Sequence, residues 1–169
     1  MENNPKAKWE IRRDLKPGDI GYLIYLHGML YSKEYGFDQT FEQYVAHGLI
    51  EFVHSFNPYR DRIWLAEAEG KIVGSIAIAR TSKVEAQLRW YLVHPDYRSQ
   101  GLGKILILEA LKFCRERKYD SVFLWTTSEL TTASNRYLQA GFKKTEVKSH
   151  NVWGKFISEE RYDLQLNLI

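Results

Sequence analysis

The apolar positions of this chain change period several times, and each change marks a new element. Trp9 to Arg13 alternates apolar and polar residues, the two-residue period of a strand. Pro17-Gly18-Asp19 then opens a helix with Asp19 placed as its N-cap. Ile20, Leu23, Ile24 and His27 form its inward stripe, Tyr31 to Tyr35 closes it, and Gly36 is a natural stop. A second helix carries the clearest repeat. Phe41, Tyr44, Val45, Gly48, Leu49, Phe52, Val53 and Phe56 recur three and four residues apart. Thr40 and Gln43 fit a capping box at its start, and Asn57-Pro58 ends it.

The period then falls to two. Ile63 to Glu67 and Ile72 to Ala79 flank Glu69-Gly70-Lys71, where Gly70 supplies the positive φ of a hairpin turn. A polar turn, Thr81 to Glu85, leads to a third run, Ala86 to Val93, so the three read as an antiparallel meander. His94-Pro95 stops the last of them. A helix follows from Leu102 to about Lys118, burying Leu102, Ile105, Leu106, Ala110, Phe113 and Cys114, with Lys112 and Glu116 at pair spacing. Ser121 to Thr126 is the next strand. Strand, helix and strand in this order imply parallel pairing through a crossover. Ser128 is placed to cap a helix that runs through Gln139, with Gly141 at its C′ position. Phe142 to Val147 reads as a strand, His150 to Gly154 as a loop, and Tyr162 to Leu168 as a closing strand with Leu164, Leu166 and Leu168 inward.

Composition narrows the class. A length of 169 residues with 44% apolar and 14% aromatic content suits one packed domain, with residues 1–8 polar and flexible. A net charge of +3 gives no field strong enough to point to nucleic acid or a membrane surface. No run approaches the ~18 apolar residues of a membrane span, and the N-terminus lacks a signal-peptide core. Cys114 stands alone and so forms no internal disulfide, and the five histidines show no metal-ligand spacing. The expectation is a cytoplasmic protein with no metal.

Candidate chemistry centres on Arg98-Ser99-Gln100-Gly101-Leu102-Gly103-Lys104. It lies between a strand and a helix. Gly101 and Gly103 let backbone approach a ligand closely, and the first helical amides lack internal partners. With the helix dipole these make an anion site suited to a phosphate or pyrophosphate, with Arg98 and Lys104 at its rim. A Walker loop is excluded, because Ile105 follows Gly103-Lys104 where Ser or Thr belongs.

These residues resemble the GNAT superfamily of acyl-CoA N-acyltransferases. The family's Arg/Gln-x-x-Gly-x-Gly/Ala stands here as Arg98 to Gly103, preceded by Val93-His94-Pro95-Asp96-Tyr97. Its Tyr-x-x-x-Gly-Phe mark stands as Tyr137 to Phe142. The resemblance implies an α/β (α+β) fold. A single mixed, mostly antiparallel, twisted sheet of about seven strands would carry four helices, its central parallel pair splayed at the cofactor site. It implies acetyl-CoA as cofactor, with backbone of Leu92 and Val93 facing the pantetheine arm. The segment Arg98, Ser99, Gln100, Gly101, Leu102, Gly103 and Lys104 would hold the pyrophosphate. One departure is Leu130, which stands where the family frequently has Asn. The segments Gln87 to Val93 and His150 to Gly154 look closest to acetyltransferase domains fused to MarR-type regulators, of which this chain looks like a stand-alone version.

The implied reaction is N-acetyl transfer to a primary amine by direct attack through a tetrahedral intermediate. The acceptor is expected to be a small molecule or amino-acid-like. The Val93 amide would steady the oxyanion, and Tyr137 would protonate the leaving thiolate. The base is expected at Glu85, with Glu34 and His150 as other candidates. Tyr31, Glu34, Tyr35, His150 and Trp153 fall in segments that line acceptor sites. A protein or peptide acceptor, or a non-catalytic acyl-CoA sensor, are the alternatives. No nucleic acid or membrane partner is expected, and a homodimer is allowed.

Overall fold

The computed structural model describes residues 9–166. The expectations for residues 1–8 and for Leu168 lie outside the described residues. The chain runs β1 (Glu10–Arg12), α1 (Asp19–Tyr35), α2 (Gln39–His54), β2 (Arg62–Ala68), β3 (Lys71–Arg80) and β4 (Glu85–Val93). A single 3-10 turn, Pro95–Tyr97, leads to α3 (Leu102–Glu116), β5 (Ser121–Thr127), α4 (Thr131–Gln139), β6 (Lys143–Val152) and β7 (Lys155–Gln165). The seven strands form one sheet in the order β1-β2-β3-β4-β5-β7-β6. Among the described residues only β4 and β5 pair in parallel, as a strand-helix-strand crossover requires. The expected mixed sheet with four helices is the observed one.

The sheet separates two cores, because successive strand residues point to opposite faces. On one face Leu102, Leu106, Ala110 and Phe113 of α3 pack with Trp64, Ile76 and Ile78. On the other, Leu23 of α1 and Phe41, Val45 and Leu49 of α2 pack with Ile63, Leu65 and Ala77.

β4 changes face midway. Ala86 and Leu88 belong to the α3 side, and so do Tyr91 and Val93, whereas Trp90 belongs to the α1/α2 side. The parity breaks because a bulge shifts the β3–β4 register: Ala77 lies opposite Arg89, but Ser75 lies opposite Leu92. One residue, Ile76, therefore faces both Trp90 and Tyr91, the two-against-one count of a β-bulge. Trp90, the first of the two, has a left-handed φ of 48°, and the Ser75 hydroxyl donates to the Trp90 carbonyl at 2.6 Å.

Several local expectations are corrected. Asp19 is the first residue of α1 and not its N-cap; that position is Gly18, at φ 93°. The Asp19 carboxylate instead accepts from both Arg12 terminal nitrogens and from the Lys16 amide. The Thr40–Gln43 capping box is not formed; Asp38 caps α2, accepting from the Thr40 amide and hydroxyl. Tyr44, Val53 and Phe56 of the expected stripe are exposed. On α3, Ile105 is 38% exposed, and Ile107 and Leu111 are buried in its place. The helix after β5 starts at Thr131 without a cap from Ser128. The largest correction is at the C-terminal end. His150 to Val152 is strand, not loop, and Trp153-Gly154 is a two-residue turn between two long strands. Both turn residues have positive φ, 53° and 83°, the twist that a tight hairpin prefers.

Among the described residues no helix is long and apolar enough to cross a membrane, and no group of three or more metal-type ligands assembles.

Candidate active site

β4 and β5 pair only at Glu85–Ser121, Ala86–Val122 and Gln87–Phe123. Past Gln87, β5 continues along β7 as far as Thr127, while β4 bulges and leaves it. The gap holds two cavities. One, of about 250 Å³, is lined by Leu92, Val93, Arg98, Ser99 and Gly103, with Thr131 and Arg136 of α4 opposite. The other, of about 100 Å³, is lined by His27, Phe41, Arg89, Trp90, Tyr137, Trp153 and Glu159. Tyr31, Tyr91 and Leu130 line both, so the two share a wall where the strands part.

The first cavity ends at the start of α3. That helix has no side-chain cap and no acidic residue in its first turn. α2, by contrast, is closed by Asp38. The first amides of α3 are therefore left for an anion, on which the helix dipole also acts. Ser99 and Gly101 both adopt positive φ, 61° and 85°, so the loop turns sharply into the helix. Space differs at the two glycines. A Cβ at Gly101 meets nothing within 4 Å, so only its φ requires glycine. A Cβ at Gly103 would collide with the Tyr91 hydroxyl and lie 3.4 Å from Arg136 Nε. The Arg136 side chain has no hydrogen-bond or carboxylate partner among the described residues, which leaves its guanidinium available beside the cradle. This cradle fits a diphosphate.

The other members of the loop serve differently. Arg98 lines the cavity, but its guanidinium grips Glu34 with two bonds of 2.7 Å. Burial of Leu102 in the α3-side core leaves only its backbone for a ligand. Lys104 is exposed, and the Gln100 side chain donates to the Asp96 carbonyl at 3.1 Å. Neither lines the cavity.

The second cavity is aromatic and partly polar. Trp153 is carried there by the hairpin tip, which docks on the α1–α2 junction: the Asp38 amide donates to the Trp153 carbonyl at 3.0 Å. Gly154 admits Asp38 closely, since a Cβ there would meet its carboxylate at 2.7 Å. The Trp153 ring then packs edge-on to Phe41 at 4.9 Å. Tyr137 is 4% exposed, and its hydroxyl has no hydrogen-bond partner among the described residues. Burial raises its pKa well above the usual value, so it stays a phenol at neutral pH.

Three residues of the lining carry a fully buried polar atom without a partner: His27 Nε2, Thr126 Oγ1 and Thr127 Oγ1. His27 Nδ1 lies 2.8 Å from the Leu23 carbonyl, a contact that needs a proton on Nδ1. Burial lowers the His27 pKa to about 4, so the ring is neutral and Nε2 presents a lone pair. Glu159 of β7 completes the lining, and its Oε2 lies 2.5 Å from His150 Nε2 on the neighbouring strand.

The sequence-expected residues thus divide. Tyr137 and Trp153 line the aromatic cavity, Glu34 and Tyr35 line the other, and Tyr31 lines both. His150 lines neither but touches Glu159, which does. Glu85 lies at the paired end of β4, opposite Ser121, and lines neither. Its carboxylate accepts from the Thr81 hydroxyl at 3.2 Å, and Arg161 approaches to 3.7 Å. Glu159, Arg89 and Arg136 escaped the sequence reading. Extending the strand from Val147 to Val152 and reading Trp153-Gly154 as its turn would have paired Glu159 with Lys148, on the diagonal from His150. Cys114 is buried in the core, its thiol pushed up to about 12 by burial.

Comparison with known proteins identifies the family and the fold. A family model described as "Acetyltransferase (GNAT) family" matches residues 28–142. Human N-acetyltransferase 8B is 32% identical over 99 residues, covering 56% of this chain and 44% of that protein. N-acetylaspartate synthetase of Xenopus tropicalis is 35% identical over 91 residues, covering 53% of this chain and 33% of that protein. The chain spans less than half the length of these two curated relatives. An acetyltransferase of the GNAT family from Staphylococcus aureus superposes with a TM-score of 0.76 at 20% identity, covering 95% of this chain and 100% of that one. A putative acetyltransferase from Salmonella typhimurium, solved with its cofactor acetyl-CoA, gives 0.70 at 16% identity over 94% of each chain. At these identities the two structures establish a shared fold.

Proposed function

The chain belongs to the GNAT family of acetyltransferases, and we propose that it moves an acetyl group from acetyl-CoA to the amine of a small, amino-acid-like acceptor. The observation that carries this reading is the shared wall. The cradle at α3 and the aromatic cavity meet at Tyr31, Tyr91 and Leu130, where β4 leaves β5. A donor anchored by its diphosphate at α3 and an acceptor in the aromatic cavity would meet there. Bound acetyl-CoA supplies the activated thioester.

The residues divide the remaining work. The α3 amides, with Gly101, Gly103 and Arg136, bind the diphosphate. Backbone of Leu92 and Val93 lines the path of the arm, and the Val93 amide is assigned to the developing oxyanion. An alkyl ammonium has a pKa of ~10.4, so a proton must leave before nitrogen can attack. Glu159 lines the acceptor cavity and is assigned as that proton's acceptor, held by His150 at 2.5 Å. Glu85 is not, because it lies at the wrong end of β4. The Tyr137 phenol, kept protonated by burial, is assigned as the donor to the departing thiolate.

A small acceptor is favoured over a peptide because Trp153, Tyr44 and Phe41 enclose the cavity from the hairpin and α2. N-acetylaspartate synthetase, among the relatives, is named for an amino-acid product. The segments that resemble MarR-fused domains, Gln87 to Val93 and His150 to Gly154, contribute Gln87, Trp90 and Trp153 to this same lining.

The test is an acceptor screen with acetyl-CoA, read by free thiol release, on the native chain and on Glu159→Gln. The reading expects turnover with at least one small amine and a roughly 100-fold loss in the variant. Coenzyme A binding without turnover of any amine would overturn it.

A further inference from the structure

We infer that the acceptor carries a carboxylate besides its amine, and that Arg89 holds that carboxylate. This rests on the acetyl-transfer reading above and adds to its amino-acid-like acceptor the residue that selects the carboxylate.

The bulge sets two successive side chains, Arg89 and Trp90, toward α2. Both reach Gly48, where a Cβ would lie 2.6 Å from Arg89 Nη2 and 3.2 Å from Trp90 Cζ2. The Arg89 guanidinium carbon stacks 4.4 Å from the Trp90 ring centroid, so the fork is held at the cavity wall. It is half-buried, with no carboxylate or hydrogen-bond partner among the described residues. Arg12, Arg98 and Arg161 each have a carboxylate within 2.9 Å. A stacked guanidinium without acceptors in a cavity suits a planar, bidentate anion.

The charges around it are complementary to a zwitterion. Arg89 supplies the cation and Glu159 the anion of the same cavity. An α-amino acid puts its carboxylate and its amine on one carbon, so it can satisfy both. A plain alkylamine leaves Arg89 unpaired, and a polyamine brings a second cation toward it; sites built for a polar group reject ligands that leave it unmatched. The carboxylate is bound and unchanged; only the amine is acetylated.

The experiment compares L-leucine with isopentylamine, and L-phenylalanine with 2-phenylethylamine, by thiol release and by calorimetry without acetyl-CoA. Each amino acid should exceed its decarboxylated partner by at least ~100-fold in kcat/KM. Arg89→Gln should raise KM for the amino acid ~100-fold and move the amine's less than threefold. Gly48→Ala, which displaces the guanidinium, should reproduce that loss. Equal use of amine and amino acid, or an Arg89→Gln effect shared by both, would overturn the inference. If no acceptor is turned over, the transfer reading falls, and calorimetry judges Arg89 separately. Leucine binding lost in Arg89→Gln upholds its role, and binding unchanged refutes it.

Discussion

Arg98 holds Glu34 through both terminal nitrogens at 2.7 Å, while its Nε donates to the Val93 carbonyl at 3.0 Å. The end of β4 is thereby tied to the last turn of α1 across the first cavity. The pair is partly exposed, so it contributes at most about 1 kcal/mol to stability. Its position matters more, because Val93 lines the path assigned to the donor. Arg98→Gln should raise the KM for acetyl-CoA about tenfold while thermal stability falls only slightly. Steady-state kinetics beside a thermal melt checks this; a large drop in Tm with unchanged KM would make the bridge purely structural.

The two loop glycines should fail for different reasons. Gly101→Ala strains a left-handed backbone and costs about 1 kcal/mol of stability. Gly103→Ala drives a methyl into the Tyr91 hydroxyl. It should weaken coenzyme A binding at least tenfold, and adding Tyr91→Phe should recover part of the loss by removing the clashing oxygen. Calorimetry on the single and double variants reads the recovery; none at all would place the clash elsewhere.

Tyr137→Phe separates chemistry from packing. The hydroxyl has no internal partner, so removing it leaves no orphaned group, and stability should hold or rise. The kcat should fall roughly ten- to a thousand-fold, the worth of a proton donor. Denaturant melts with parallel rate measurements test both halves. An unchanged rate removes Tyr137 from the mechanism.

Glu159→Gln should change the pH dependence as well as the rate. Without the carboxylate, only acceptor that is already neutral can react. Its log rate should climb steadily toward the amine's own pKa, whereas the native enzyme levels off earlier. Parallel profiles for both proteins would exclude Glu159 as proton acceptor.

His27 makes stability sensitive to acid. Its folded pKa is depressed to about 4 from 6.5, so the unfolded chain binds more protons between those values. The contribution is complete above pH 6.5 and is lost as pH falls through 4, about 3 kcal/mol in all. Urea melts at pH 7 and pH 4.5 should show a smaller loss for His27→Asn than for the native chain. Equal losses would mean that the ring is not buried neutral.

Much of this was readable in advance where local chemistry decides. Gly101 and Gly103 after a strand, the hairpin at Gly70, and the repeat Phe41-Val45-Gly48-Leu49-Phe52 needed no tertiary information. Failures arose where a distant partner wins. Asp19 was drawn to Arg12, Thr40 lost capping to Asp38, and Glu34 and Arg98, expected in separate roles, pair with each other. The acceptor cavity was least legible. The bulge at Trp90 inverts the alternation of β4, and the exposed strand β6 carries no apolar period to reveal that it reaches Val152. Without that hairpin, Glu159 could not be set beside His150.

Cofactor binding depends on the uncapped start of α3, and titration calorimetry with coenzyme A measures it most directly. Native protein should bind one coenzyme A per chain, and Gly103→Ala should weaken that binding at least tenfold. No measurable binding by the native chain, or equal affinity in both proteins, would contradict it.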